Sequence, residues 1–278
     1  MIVFPNCKIN LGLHITRKRP DGYHDLETVF YPLPLKDALE ITVQQPGTEN
    51  PEQEGLSFVT SGLTVAGDAA NNLCVKAWRL LKNDFPQLPP VQLHLHKAIP
   101  MGAGLGGGSS DAAFTLRLIN DRFKLGLTTE KLLDYSLQLG SDCPFFIINK
   151  PCIATGRGEL LQSIPLDLSG YTFLLVYPDV HINTGWAFSQ ITPAPPVQSM
   201  QGIIQQSPST WKNVLVNDFE APVCGLHPEL QHIKDSLYAA GAVYASMTGS
   251  GSSFYGLFPK GKTPEGLFPA YKSYVLDK

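Results

Sequence analysis

The stretch that decides the fold is Ile99-Pro100-Met101-Gly102-Ala103-Gly104-Leu105-Gly106-Gly107-Gly108-Ser109-Ser110-Asp111. From 102 to 108, five of the seven residues are glycine, and glycine allows positive φ and a close approach of the backbone to a ligand. The Ser109-Ser110-Asp111 cluster is a favourable N-cap for a following helix. Because a helix N-terminus presents free N–H groups and the positive end of its dipole, the stretch predicts a phosphate-binding loop.

The flanks of this loop favour one kind of phosphate site over others. Apolar and polar residues alternate over 91–96 before it, and an apolar helical pattern covers 110–124 after it. A Walker A loop is excluded because no lysine follows the glycines. The dinucleotide pattern G-x-G-x-x-G fits Gly102, Gly104 and Gly107, but it needs a continuously apolar strand before it. A flexible linker is excluded because the helix follows without a gap.

Composition limits the function classes. The chain has 278 residues and a net charge of −3, which argues against a nucleic-acid or anionic-membrane surface. Five widely spaced cysteines without a CxxC pair predict neither a disulfide framework nor a zinc site, and they fit a reducing cytosol. The sequence shows no signal-peptide pattern and no apolar run of about 18 residues, so we expect a cytoplasmic protein with no membrane contact.

Alternating polarity marks the first strand, over 7–15. Its odd-numbered positions are apolar, and Lys8 and Asn10 project together from the other face, which is most simply a solvated one. The patterns that follow favour antiparallel strands rather than βαβ units. The predicted elements are strands 26–33, 39–43, 56–60, 63–66, 91–95 and 145–148, a polar loop 46–55, helices 72–83, 110–124 and 129–139 with Gly126 and Gly140 as C-caps, and a hairpin at Gly156-Arg157-Gly158.

The pattern changes near 165–170, which predicts two domains, 1–165 and 166–278. The second half carries a second loop of small residues, Thr248-Gly249-Ser250-Gly251-Ser252-Ser253, between two short apolar runs. The predicted elements are strands 172–178, 243–247, 254–258 and 273–276, a proline-rich loop 192–208, and helices 184–190, 211–223, 228–240 and 263–272.

Four motifs in the same order over nearly the whole chain resemble those of the GHMP kinases, which include galactokinase, homoserine kinase and mevalonate kinase. They are the loop Pro100 to Ser110, the N-terminal run Pro5 to Leu13, the segment Leu139 to Pro144, and Thr248 to Gly251. The resemblance implies an α+β fold of two domains. The N-terminal one has a fold shared with ribosomal proteins, and the C-terminal one is a ferredoxin-like α/β sandwich. It also implies phosphoryl transfer from ATP, with Mg²⁺, to a small-molecule alcohol and without a covalent phospho-enzyme.

The resemblance assigns two catalytic residues. Asp142 stands where the family has its catalytic base and would take the proton from the substrate hydroxyl, although an aspartate in such a place is by itself more often a turn residue. Lys8 would orient the reactants and neutralise charge.

The residues implied for ATP share the loop or its borders. Asn72 is explained equally well as a helix N-cap. Lys97 would flank the nucleotide, and the alternative for it is a solvated strand end. Ser109 and Ser110 would bind a phosphate or Mg²⁺, and the alternative for them is helix capping alone. The predicted set is Asn72, Lys97, Pro100, Met101, Gly102, Ala103, Gly104, Leu105, Gly106, Gly107, Gly108, Ser109 and Ser110.

The segment Arg19-Pro20-Asp21-Gly22-Tyr23-His24 resembles a signature of the family members that act on 4-diphosphocytidyl-2-C-methyl-D-erythritol. By that resemblance Tyr23 and His24 contact the cytidine base, and Phe188 is a second stacking ring. The predicted substrate set is Asn10, Tyr23, His24, Thr184, Phe188, Thr248 and Gly249. Two alternatives stay open: another GHMP kinase acting on mevalonate, homoserine or a sugar, and a non-catalytic nucleic-acid binder, which the charge disfavours. We expect a monomer or a homodimer.

Overall fold

Three four-stranded sheets organise the described part of the chain. The structure is a computed structural model that describes residues 1–44, 55–65 and 67–277. The strands are β1 Ile2–Val3, β2 Asn6–Lys18, β3 His24–Lys36, β4 Ala38–Val43, β5 Leu56–Gly62, β6 Val91–Lys97, β7 Cys152–Thr155, β8 Leu160–Ser163, β9 Tyr171–Tyr177, β10 Tyr244–Met247, β11 Phe254–Pro259 and β12 Lys272–Asp277. The α-helices are α1 Leu73–Asp84, α2 Gly107–Phe123, α3 Thr129–Leu139, α4 Cys143–Ile148, α5 Thr184–Ser189, α6 Met200–Ile204, α7 Glu220–Leu226 and α8 Pro228–Ala239.

Two compact units divide these elements. Unit 1 consists of Met1–Cys7, Leu35–Met101 and Gly106–Asn149, and unit 2 of Lys8–Pro34, Gly102–Leu105 and Lys150–Lys278. The chain thus leaves unit 1 and re-enters it inside the glycine-rich stretch. The sequence-based boundary between 165 and 166 stays a prediction.

Unit 1 has the sheet order β1-β4-β6-β5. β4 is antiparallel to β1 and to β6, as expected, but β5 is parallel to β6. Because α1 connects β5 to β6, the sequence-based expectation of antiparallel pairing without βαβ units was wrong at this point. A parallel pair cannot be joined by a tight turn, and the helical crossover between the two strands was itself predicted. The prediction of a second strand at 63–66 was also wrong, since the described residues 63–65 are not in a strand. The predicted loop 46–55 lies almost wholly outside the described residues.

Two helices of unit 1 begin differently from the prediction. α2 starts at Gly107, with Gly106 as a left-handed N-cap that makes no side-chain hydrogen bond, so Ser109 and Ser110 lie in the first turn rather than capping it. α2 ends before Lys124, which is the C-cap in place of Gly126. The run 145–148 is helical, not a strand, because Pro144 opens α4, and so short an apolar run fits either structure.

The sheet β2-β3-β7-β8, most of which belongs to unit 2, contains the N-terminal motif. The side chains of Cys7 and Ile9 are buried, and so are those of Lys8 and Asn10, at 4% and 1% exposure. A solvated face for Lys8 and Asn10 was therefore the wrong interpretation, because both faces of this strand are covered. The hairpin β7–β8 forms around 156–158 as predicted.

The second sheet of unit 2 has the order β10-β11-β9-β12 with antiparallel neighbours. With α5 to α8 between β9 and β10, this is the ferredoxin-like arrangement that was expected. α8 packs on β10 and β11, and its Leu230, Ile233 and Leu237 face the core. The predicted helix 211–223 is instead a 3-10 helix Pro208–Asn213 followed by α7, and α6 was missed. The predicted helix 263–272 does not form, because turns occupy that segment before β12.

All five cysteines are free and buried. Within the described ranges, no helix combines the length and the apolar character that crossing a bilayer requires.

Candidate functional site

The loop of small residues near the C-terminus holds the unit 2 part of the glycine-rich stretch. The Thr248 hydroxyl donates to the Gly104 carbonyl at 3.0 Å, and the Ser253 amide donates to the Ala103 carbonyl at 3.4 Å. Gly104 has a φ of +76°, and a Cβ there would lie 2.0 Å from the Thr248 carbonyl oxygen. Any other residue at 104 therefore forces the two loops apart, which explains why this position is glycine.

The start of α2 lies against a buried lysine of unit 1. A Cβ on Gly107 would lie 2.9 Å from Lys97 Nζ. Lys97 is 2% exposed, and its ammonium donates to Asp37 and, at 2.7 Å, to Asp111 on α2. The other oxygen of Asp37 accepts from the amides of Ala98 and Ile99 at 2.6 and 2.8 Å. The three charged side chains thus fix the strand end before the loop to the first turn of the helix after it. A solvated Lys97 was the wrong interpretation.

Burial governs the charges of this triad. It raises the pKa of Asp111 to about 7; Lys97 opposes that rise and Asp37 adds to it. Burial alone would lower the pKa of Lys97, but the attraction of the two carboxylates outweighs it, so the pKa lies above its usual value. Lys97 is therefore a permanent cation between two acids, of which Asp111 titrates near neutral pH.

A cavity of about 430 Å³ in unit 1 adjoins the triad. Its apolar wall comes from β5 and β6, and its polar groups from the segment before α1 and the first turns of α2. Asn72 both lines the cavity and caps α1, accepting from the Cys74 amide at 2.9 Å. Other lining residues are Phe58, Thr60, Asn71, Leu95, Lys97, Met101, Gly108 and Asp111. The cavity size and its mixed lining suit a small organic ligand.

Two buried oxygens at the start of α2 lack a hydrogen-bond partner among the described residues: Ser110 Oγ and Asp111 Oδ1. Orphaned acceptors beside a helix N-terminus fit a ligand that supplies a donor or a cation. Ser109 is half-buried and hydrogen-bonds with Cys143. This hydrogen bond lowers the pKa of the Cys143 thiol, but burial has the larger effect and raises that pKa to about 12. Over the ranges that the structure describes, no three His, Cys, Asp or Glu side chains gather to hold a metal.

Asp142 is half-buried in unit 1, immediately before α4. It occupies the N-cap position, but its side chain makes no capping hydrogen bond to the helix. Helix capping therefore does not explain this aspartate.

A polar cluster surrounds Lys8 in unit 2. Lys8 Nζ donates to Asn10 Oδ1 at 2.6 Å and lies 4.9 Å from the centroid of the Phe30 ring. The same Asn10 oxygen accepts from the Gly249 amide at 3.0 Å. Thr248 is fully buried, and its hydroxyl oxygen accepts a hydrogen bond from the backbone N–H of Asn10. The structure thus joins Lys8, Asn10, Thr248 and Gly249, which come from the two ends of the chain.

Aromatic rings from distant segments of unit 2 form a second group. His24 and Phe188 stack with their centroids 5.0 Å apart and their planes at 22°. Phe188 also packs edge-on against Phe219 at 4.9 Å. Tyr23 is 56% exposed, and Arg157 lies over its ring at 4.9 Å. Tyr23, His24 and Phe188, predicted as one site, thus take part in two ring contacts, the His24–Phe188 stack and the Arg157–Tyr23 contact, and Tyr23 is exposed.

Thr184 hydrogen-bonds the Ser250 hydroxyl at 3.1 Å in unit 2. Lys8 and Asp142 belong to different units, so their pairing stays a prediction. Sequence reasoning missed Asp37, Asp111 and Arg157. The alternation of β6 puts residue 97 on the same face as Val91, Leu93 and Leu95, which was a usable signal that Lys97 is buried and needs acidic partners. Asp37 carried no such signal.

The fold and this site define a class of protein. The chain matches the family described as "GHMP kinases N terminal domain" over residues 72–150, and the one described as "GHMP kinases C terminal" over residues 200–274. The chain belongs to the GHMP kinase family, and its use of ATP follows from that membership.

Particular members are similar over almost the full length. A protein of Bacteroides fragilis named 4-diphosphocytidyl-2-C-methyl-D-erythritol kinase is 54% identical over 93% of this chain and 92% of its own. A crystal structure of 4-(cytidine 5'-diphospho)-2C-methyl-D-erythritol kinase has a TM-score of 0.84 at 29% identity, covering 99% of this chain and 98% of the other. The Methanococcus jannaschii mevalonate kinase has a TM-score of 0.72 at 14% identity, covering 100% of this chain and 98% of its own, and shows the shared fold alone.

Proposed function

We propose that this protein transfers the γ-phosphate of ATP to the 2-hydroxyl of 4-diphosphocytidyl-2-C-methyl-D-erythritol, a step of the non-mevalonate route to isoprenoid precursors. The observation that supports this choice of substrate is the stack of His24 and Phe188 beside the exposed ring of Tyr23. A nucleobase stacks on such rings, whereas mevalonate, homoserine and sugars have no aromatic ring to place there. The 54% identical relative from Bacteroides fragilis carries the name of this activity.

ATP occupies the cavity of unit 1 in this proposal. The apolar wall formed by Phe58 and Leu95 takes the adenine, and Asn72 lies at its polar border. The phosphates extend along residues 100–110 to the first turn of α2, where backbone N–H groups and the helix dipole attract them. Lys97 lines the cavity below this turn, where its ammonium donates to Asp37 and Asp111.

Mg²⁺ accompanies the nucleotide and neutralises charge on the β- and γ-phosphates when bound. The orphaned Ser110 hydroxyl and the half-buried Ser109 are the side chains that would hold it. Mg²⁺ commonly keeps waters and phosphate oxygens as its other ligands, so these few oxygen ligands fit it.

The chemical step uses Asp142 and Lys8 in this proposal. Asp142 takes the proton of the 2-hydroxyl while the substrate oxygen forms its bond to the γ-phosphorus and the bond from that phosphorus to the β-phosphate bridge breaks, releasing ADP. Lys8 stabilises the negative charge that develops on the transferred group. Thr184, Thr248 and Gly249 border the substrate in this proposal, and a cytoplasmic location and a monomeric or homodimeric state remain predictions.

A coupled assay of ADP release tests the proposal. The purified protein is offered ATP and Mg²⁺ with the cytidylated alcohol, with mevalonate, with homoserine and with galactose in separate reactions. We expect turnover with the cytidylated alcohol alone, and a product whose new phosphomonoester is seen by ³¹P NMR. The Asp142→Asn variant is the control and should lose at least about 100-fold in kcat. Turnover with only one of the other alcohols would refute the substrate assignment.

A further inference from the structure

Thr28, on β3, has a hydroxyl with two partners inside unit 2. Its Oγ1 donates to the Gly12 carbonyl oxygen at 2.6 Å and lies 2.9 Å from Nδ2 of Asn10. Thr28 is fully buried, so water does not compete for these bonds. A hydroxyl has one proton, and a carbonyl oxygen can only accept. The proton therefore goes to Gly12, and only the oxygen lone pair faces Asn10.

This arrangement fixes the orientation of the Asn10 amide. Only the NH₂ end of the amide can meet the Thr28 lone pair, which leaves Oδ1 facing Lys8 Nζ at 2.6 Å and the Gly249 amide at 3.0 Å. If the amide were flipped, its NH₂ group would face an ammonium and an N–H, and the Asn10 oxygen would meet a hydroxyl that has no proton left to give. Asn10 is 1% exposed, so this mismatch would have no solvent to relieve it.

We propose that Thr28 is a positioning residue for phosphoryl transfer, which acts by holding the Asn10 amide so that its oxygen places the Lys8 ammonium. The inference rests on the proposed function, in which Lys8 stabilises the transferred phosphoryl group. It gives the buried Asn10 the role of carrying that orientation from Thr28 to Lys8. A displacement of about 1 Å at a group that acts in the transition state costs up to about 100-fold in rate.

A matched pair of substitutions tests this role. Thr28→Val keeps the branched shape but removes the acceptor, whereas Thr28→Ser keeps the hydroxyl and removes a methyl group. We expect Thr28→Val to lower kcat about tenfold or more, with KM for ATP and for the alcohol within about twofold. We expect Thr28→Ser to stay within about threefold of the wild type. Thr172→Val removes another buried hydroxyl of unit 2, bonded to Asp277 at 2.5 Å, and should leave kcat unchanged.

The Lys8→Ala background separates positioning from packing. If Thr28 acts through Lys8, Thr28→Val lowers the residual turnover of Lys8→Ala by less than about twofold. The proposal is overturned if Thr28→Val keeps wild-type kcat, if Thr28→Ser loses as much as Thr28→Val, or if the full effect persists without Lys8. Melting temperatures of all variants show which are folded, and Thr28→Ala replaces Thr28→Val if the latter does not fold.

The hydrogen bond itself can be followed without turnover. The side-chain amide signals of Asn10, identified by their loss in Asn10→Asp, should exchange slowly with solvent in the wild type and Thr28→Ser and faster in Thr28→Val. If the wild type acts on a different alcohol, the kcat comparison is made on that alcohol, so the substrate assignment can fail while the role of Thr28 stands. Equal exchange in all three proteins overturns the role of Thr28 whatever the substrate.

Discussion

Two buried lysines, one in each unit, contact different kinds of side chain. Lys97 in unit 1 lies between the carboxylates of Asp37 and Asp111. Lys8 in unit 2 donates to the neutral amide oxygen of Asn10 and lies over the ring of Phe30. Two carboxylates compensate the charge of Lys97, so its role is to stabilise the fold. The Asn10 amide orients the Lys8 ammonium through a hydrogen bond and adds no charge of its own.

The strongest test of this contrast is kinetic, at Lys8. Lys8→Ala should lower kcat by about 10³-fold, because the charge that stabilises the transition state is gone, and should leave the protein folded. Steady-state kinetics and thermal unfolding measure the two effects. Lys18→Ala, which changes an exposed lysine of the same strand, is the control and should have wild-type kcat. Near-normal turnover by a folded Lys8→Ala would remove Lys8 from the mechanism.

The corresponding change at Lys97 should act on stability. Lys97→Met leaves two buried carboxylates facing each other, which destabilises a protein by about 3–5 kcal/mol and lowers its melting temperature by about 10 °C. Calorimetry measures the shift. Adding Asp111→Asn to Lys97→Met removes one of the stranded charges and should recover part of the loss. A Lys97→Met protein that melts like the wild type would show that the triad does not stabilise the fold.

The aromatic site of unit 2 should control substrate affinity alone. Phe188→Leu keeps an apolar side chain against Phe219 but removes the ring stacked on His24. We expect KM for the cytidylated alcohol to rise about tenfold, in line with one lost stacking contact, while KM for ATP stays constant. If both KM values rise together, the ring supports the fold rather than the cytosine base.

The smallest expected effect concerns pH. In the fold, burial raises the pKa of Asp111 from an ordinary 3.8 to about 7. Between pH 4 and 7 the folded protein therefore keeps a proton that the unfolded chain releases, so the free energy of unfolding falls as pH rises and levels off above 7. Asp111→Asn lacks this titration. The melting temperature of the wild type relative to Asp111→Asn should fall by about 5 °C from pH 5 to pH 8, and a constant difference would contradict the assignment.

The loop and its neighbouring elements were predictable because their signals are local. Glycine content, the alternation of β2 and β6, and the cap of α1 by Asn72 all lie within a few residues of the structure they specify. Local signals failed where a short segment fits two structures. The run 145–148 is apolar enough for a strand, and Pro144 decided for a helix.

The site was predictable as a set of motifs but not as a set of contacts. His24 and Phe188 were both expected at the substrate, and their stacking joins residues 164 positions apart along the sequence. Their contact follows from how the strands and helices of unit 2 pack, which no single motif encodes.

By itself, the sequence determined the phosphate loop, the family and the types of residue available for the chemistry, because backbone conformation and polarity are properties of neighbouring residues. Only the tertiary structure decided which of these side chains are buried and what each one meets. The sequence pattern suggested that water surrounds three polar side chains, those of Lys8, Asn10 and Lys97. In the fold all three are buried, so their hydrogen bonds are made to protein groups instead of water. Lys97 bonds to Asp37, which lies 60 positions away in the sequence, and Asn10 bonds to Thr28, which lies 18 positions away.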